Sequence, residues 1–145
     1  MARDIIHQNV KNALIKDGWT ITQDPFELEY EELKLYADLA AEHSSMVAER
    51  EGEKILVEVK SFVGHSFMRD FQQALGQWLI YLDLKELVAA DYELFIALSD
   101  WVYAKHFEDK KGLQYLIRKN QVNLVVVDVQ AEEVVAWINW NDIKH

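Results

Sequence analysis

The sequence predicts an α/β fold in which a mixed central sheet is flanked by helices, and three observations predict it. Helix-like and strand-like apolar periods follow one another in the order helix, strand, hairpin, helix, strand, helix, hairpin. One strand-like run, Asp91 to Leu98, is almost continuously apolar, as in a strand covered on both faces. Finally, 145 residues, 50% hydrophobic and 28% charged, suffice for one core and leave little room for a second. With a single proline and five glycines there is no stretch of linker composition, so residues 1–145 are expected to form one domain.

Taken in order, Ile6, Val10, Ala13 and Leu14 recur at helical spacing with Asp4, His7 and Lys11 on another face, and Gly18 supplies a stop. Trp19 to Thr22 reads as a short strand closed by Pro25. Residues 24–33 alternate acids with Phe26, Leu28 and Tyr30 and read as a half-exposed strand or an extended loop. From Tyr36 the chain reads as a hairpin about a turn at Arg50-Glu51-Gly52-Glu53. In its second strand a period of two puts Ile55, Val57 and Val59 on one face and Leu56, Glu58 and Lys60 on the other, so Glu58 and Lys60 project side by side. After a loop at 61–66, Phe71, Ala74, Leu75, Trp78, Leu79 and Leu82 mark a long helix ending near Val88. The run from Asp91 is expected as a central strand, followed by one helix from about Asp100 to Asn120. A second hairpin, 122–130 with 134–138, turns around Ala131-Glu132-Glu133. Trp19 and Trp78 fall at core positions. Trp137 and Trp140, with Ile138 and Ile143, fit either an interface or an edge strand closing onto a helix.

Composition excludes several functions. Zero cysteines remove disulfides, thiolate catalysis and cysteine-based metal sites, so a metal would need carboxylates or histidines. A net charge of −10 argues against a protein that simply coats nucleic acid, because such binding draws on clustered Lys and Arg. DNA contact is therefore expected to be local and made within an assembly. The absence of a long apolar run and of a signal-peptide layout at the N-terminus predicts a cytoplasmic protein without membrane association.

One constellation carries chemistry: Asp38, then Glu58 and Lys60 two residues apart on a strand face. Two carboxylates converging on a point hold a hard, oxygen-loving cation such as Mg²⁺ (or Mn²⁺), to which the Val59 carbonyl adds a ligand. A lysine beside the ion orients water and offsets phosphate charge, which is the equipment of metal-assisted hydrolysis. Alone, Glu-x-Lys is a weak signal, since such pairs are common on solvent-facing strands. Geometry also raises a difficulty. A turn centred on Glu51-Gly52 sets Glu58 opposite residue 45, and at about 3.4 Å per residue Asp38 lies over 20 Å from it. A bulge within 39–45 is therefore expected to return Asp38 to Glu58; failing that, Glu42 is the nearer acid. Asp4 and His7 share a face of the first helix and are weaker candidates, as are the loop histidines His43 and His65. Lys105, Lys110, Lys111, Arg118 and Lys119 make residues 101–120 the most basic segment, either a DNA-facing surface or a solvated face.

An acid, then Glu-x-Lys on the hairpin's second strand, then a helix, resembles the order of the PD-(D/E)XK nuclease superfamily, with Ala37-Asp38-Leu39 carrying alanine where proline is usual. The resemblance implies a restriction-endonuclease-like fold with Asp38 and Glu58 as metal ligands and Lys60 as the catalytic lysine. Gln77 and Tyr81 resemble the Gln-x-x-x-Tyr motif of RecB-type members, in which both face the active site and position substrate; i and i+4 share a helix face. The strings VKNALIKDGWTIT, LYADLAAE, AEREGEKILVEVKSF, ALGQWLIYL and LVVVDV with EEVVAWI resemble the cyanobacterial XisH family over nearly the whole chain. That family is named for control of fdxN element excision, and its members are regarded as endonuclease-like and linked with a recombinase and a companion protein, XisI. Two expectations follow: a Mg²⁺-dependent DNA endonuclease, or a catalytically inactive nuclease-fold module regulating recombination through an XisI-like partner. The oligomeric state stays open between monomer and homodimer.

Overall fold

The computed structural model describes residues 4–43 and 52–140. Eight strands and four helices occur among them: α1 (His7–Lys16), β1 (Thr20–Gln23), β2 (Phe26–Tyr30), β3 (Leu33–Ala37), β4 (Leu39–His43), β5 (Glu53–Val59), α2 (Phe67–Val88), β6 (Glu93–Ser99), α3 (Asp100–His106), α4 (Lys111–Lys119), β7 (Leu124–Asp128) and β8 (Glu133–Ile138). Six strands form one mixed sheet in the order β1-β4-β5-β6-β7-β8. Its centre, β5-β6-β7, is parallel, as the helical crossovers between those strands require, and its edges are antiparallel. No helix among the described residues is long and apolar enough to cross a membrane.

The period of two in the central strands creates two cores. Ile55, Val57 and Val59 of β5, Phe95 and Ala97 of β6, and Val125 and Val127 of β7 pack against Val10, Ala13 and Leu14 of α1. Leu56, Leu94, Ile96, Leu98, Leu124 and Val126 face the other way, onto Phe71, Ala74, Trp78 and Tyr81 of α2, Val102 of α3 and Ile117 of α4. The molecule is thus a helix layer, a sheet, and a second helix layer. In α2, Leu79 departs from the expected apolar face: it is exposed.

Of the two readings of residues 24–33 the structure takes the half-exposed strand: β2 pairs with β3 in a separate two-stranded sheet whose Leu28 and Ala37 are buried under α2. Two expectations need correction. Leu39 pairs with Val57 and His43 with Glu53, so the hairpin is centred earlier than a turn at residues 50–53, and Glu53 is already strand. Arg50 and Glu51 lie outside the described residues. The single helix expected over 100–120 is two. Phe107 is buried against Phe62, Phe67 and Phe71, and Asp109 takes φ 59°, which ends helical hydrogen bonding before Lys111 starts it again. Both late tryptophans are engaged inside the fold: Trp137 packs on Trp19 and Phe95, and Trp140 donates its indole N–H to the Val122 carbonyl at 2.8 Å. Ile143 lies outside the described residues.

Candidate active site

Asp38 is the one residue between β3 and β4, the point where the chain passes from the small sheet to the large one. Because Leu39 pairs with Val57, Asp38 falls beside Glu58 without any excursion of the strand. The expected bulge in 39–45 is therefore absent from the described part, Leu39–His43, which pairs regularly. The difficulty came from placing the turn too late. The two carboxylates are held reciprocally: the Asp38 N–H donates to Glu58 Oε1 at 3.1 Å, and the Val59 N–H donates to Asp38 Oδ2 at 2.7 Å. Glu42 pairs with Lys54, four residues along β4 from Asp38 and toward the opposite end of the strand, so it is not an alternative ligand here.

Lys60 follows directly on β5, where its N–H donates 2.9 Å to the Ala97 carbonyl of β6. Its Nζ donates to Gln77 Oε1 on α2. One turn later Tyr81 is buried and donates its hydroxyl 3.1 Å to the Tyr36 carbonyl, tying α2 to β3 next to Asp38. The structure thus brings together Asp38, Glu58, Lys60, Gln77 and Tyr81 from two elements, β5 with the residue that follows it and α2, and from the β3–β4 junction.

Charge is concentrated here under cover. Burial, with the neighbouring Asp38 charge, pushes Glu58 up to about 8, against which Lys60 and the bond from the Asp38 amide act. Asp38 is also raised, by burial, opposed by its Val59 hydrogen bond and by the His7 and Lys60 charges. Tyr81 is pushed up to about 12 by burial and by the two carboxylates. A pair of buried carboxyls that resist ionising together is the arrangement that a cation relieves.

The start of α1 reaches the same end of the sheet. Asp4 accepts from the Ser61 N–H at 2.9 Å and from the Ile6 N–H at 3.2 Å. His7 is buried, its Nε2 lies 3.0 Å from Asp24 Oδ1, and Lys11 Nζ reaches Asp24 Oδ2 at 2.8 Å. Asp24 is a residue that sequence reasoning missed, since nothing in its spacing connects it with His7. His43 lies elsewhere, edge-on to Trp19. His65 is exposed in the loop before α2. Among the described residues no three His, Asp or Glu side chains converge into a cation-binding group. The oxygens that could take a cation are those of Asp38 and Glu58 with the Val59 carbonyl, a set that fits an ion retaining several waters.

The model of the XisH protein family matches residues 1–135. None of the curated proteins compared matches the chain. Two solved structures resemble it with TM-scores of 0.82: an XisH family protein from Nostoc punctiforme at 38% identity and an fdxN element excision controlling factor from Anabaena variabilis at 39%. Each alignment covers 94% of this chain and 100% of the other. A family match over most of the length and relatives matched over their whole length agree on one assignment: the chain belongs to the XisH family.

Proposed function

We propose that this chain is a controlling factor for excision of an fdxN-type element and that it acts as a divalent-cation-dependent DNA endonuclease of the PD-(D/E)XK type. The observation that carries the nuclease reading is the reciprocal hold of Asp38 and Glu58 beside Lys60, with Lys60 fixed in turn by Gln77. The name of the Anabaena variabilis relative supports the excision role.

Asp38, Glu58 and the Val59 carbonyl would hold a Mg²⁺ or Mn²⁺ ion, which would supply positive charge at the scissile phosphate. Lys60 orients the attacking water and offsets charge on the phosphoryl oxygens, and Gln77 restricts where its ammonium can point. Tyr81 fixes the junction that carries Asp38 through its bond to the Tyr36 carbonyl. Gln77 and Tyr81 are in this sense positioning residues.

A second reading, a nuclease fold working only as a regulatory platform through an XisI-like partner and a recombinase, is favoured by the net charge of −10, which suits a protein that meets DNA within an assembly. Cleavage assays on supercoiled and branched DNA with Mg²⁺ or Mn²⁺, with and without an XisI-like protein, separate the two. Metal-dependent cutting that falls at least about 100-fold in Lys60→Ala is expected on the nuclease reading. No cutting by folded wild-type protein under any of these conditions favours the platform.

A further inference from the structure

The long helix α2 packs Phe71, Ala74, Trp78, Tyr81 and Leu84 into the core, yet its outward face is not polar. Met68, Leu79, Ile80 and Leu87 stand between 44% and 63% exposed, and Gly76 is exposed among them. Apolar side chains on both sides of one helix suit a helix that is covered on both sides. Gly76 is the odd choice at its position. A Cβ there would meet nothing within 4 Å, so this chain's own packing does not call for glycine, and glycine weakens the middle of a helix. What the missing side chain provides is room for a second helix to approach closely.

The charges on this face say which helix. Arg69 lies in the first turn of α2 and Glu86 in the last, each on the unfavourable side of the helix dipole, and neither forms an ion pair among the described residues. Reversing α2 about the midpoint between Gln77 and Trp78 sets Arg69 on Glu86, Gln72 on Asp83, Gly76 on Leu79 and Met68 on Leu87. These are opposite charges, an amide with a carboxylate, a hole with a knob, and two apolar side chains. Positions 69, 72, 76, 79, 83 and 86 also follow the alternating three- and four-residue spacing by which paired helices interlock. We infer that the outward face of α2 is a self-complementary seam on which a second copy of this chain docks, antiparallel and about a two-fold axis, with Leu79 of each copy entering the space over Gly76 of the other. A two-fold axis makes every such pair twice, whereas an unrelated partner would need none of this internal symmetry. Two chains of net charge −10 repel as wholes, which makes local matching of charge the condition for pairing. The inference stands apart from the nuclease reading, because it uses none of the residues assigned to the cation or the phosphate.

The test uses the full chain at constant salt, with sedimentation equilibrium for mass and circular dichroism for folding. Wild type at about 100 µM is expected to reach twice the 17.0 kDa chain mass. Arg69→Glu and Glu86→Arg should each weaken self-association at least ten-fold, since like charges then meet at both ends of the seam, and an equimolar mixture of the two should recover the wild-type association. Each reversal suits the isolated helix better than the natural residue does: Glu three residues after the Ser66 cap completes a capping box, and Arg favours a helix C-terminus. Lost association is therefore not lost folding. Gly76→Leu, a better helix former, should keep or raise the melting temperature while weakening the pair at least ten-fold. Wild type that stays monomeric at that concentration overturns the inference and leaves this face to a different partner. A dimer that survives both reversals and Gly76→Leu, or a mixture that associates no more tightly than its components, overturns it as well. Should one reversal not fold, the other and Gly76→Leu decide.

Discussion

Glu58 sits where ionising a carboxyl is difficult: it is buried, and its neighbour is another acid. The consequence for stability has a definite sign. With its folded pKa raised to about 8, the folded state retains a proton that the unfolded state releases near pH 4.5, so stability falls as pH rises through that window and levels off above it. Glu58→Gln, which cannot ionise, should therefore match wild type near pH 4 and gain on it progressively up to about pH 8, by on the order of a few kcal/mol. Urea denaturation at a series of pH values measures this, and a difference that does not depend on pH contradicts it. Glu58 and Lys60 were legible in the sequence because period-two alternation settles which side chains share a strand face, whereas Asp38 was singled out by the resemblance and the expected register left it out of reach. Asp24 was not legible, since its partner His7 is brought to it only by packing α1 against the end of β1.

At the scale of elements, the sequence located strands and helices better than it located the joins between them. Arg50 to Glu53 has the composition of a turn, yet Glu53 pairs with His43 and the hairpin closes earlier. A shift of several residues in register was enough to make a well-placed Asp38 look unreachable. The break between α3 and α4 was hidden for another reason: it depends on Phe107 turning into an aromatic cluster, a tertiary contact that residues 100–120 do not announce. Gly18, by contrast, was legible as a helix stop, and its role is specific. It takes φ 96°, and a Cβ there would lie 2.7 Å from His43 Nε2. Gly18→Ala is expected to destabilise by about 1–3 kcal/mol, through left-handed strain and displacement of His43 from the Trp19 edge. Thermal and chemical denaturation measure it, and a neutral result would mean that the α1–β1 turn tolerates a different path.

For the whole molecule, the surplus of 25 acids over 15 bases sets the response to salt. Self-repulsion weakens as ions screen it, so raising NaCl from about 0.05 to 0.3 M should raise the melting temperature by a few degrees. At matched ionic strength MgCl₂ or MnCl₂ should add a further increment in wild type that Glu58→Gln lacks, because a bound cation stabilises by linkage and screening does not need Glu58. Equal increments in both proteins, read by differential scanning fluorimetry, would argue against a cation at that carboxylate. The layered architecture was evident from the alternation of helical and strand periods and from the doubly apolar run of β6. The small β2–β3 sheet was not, since alternating acids and apolar residues suit an exposed ribbon and a loop equally well.

The mutual hold of Asp38 and Glu58 also joins chemistry to the backbone. Each carboxylate receives an amide proton next to the other, so the β4–β5 ladder is carried past the end of β4 by side chains in place of carbonyls. Solvent exchange at the Asp38 and Val59 amides therefore becomes an internal gauge of the two acids. A perturbation that turns either carboxylate toward an ion or a phosphate loosens an amide that otherwise exchanges as slowly as its strand, and two backbone positions thereby report the occupancy of the centre without any label placed in it.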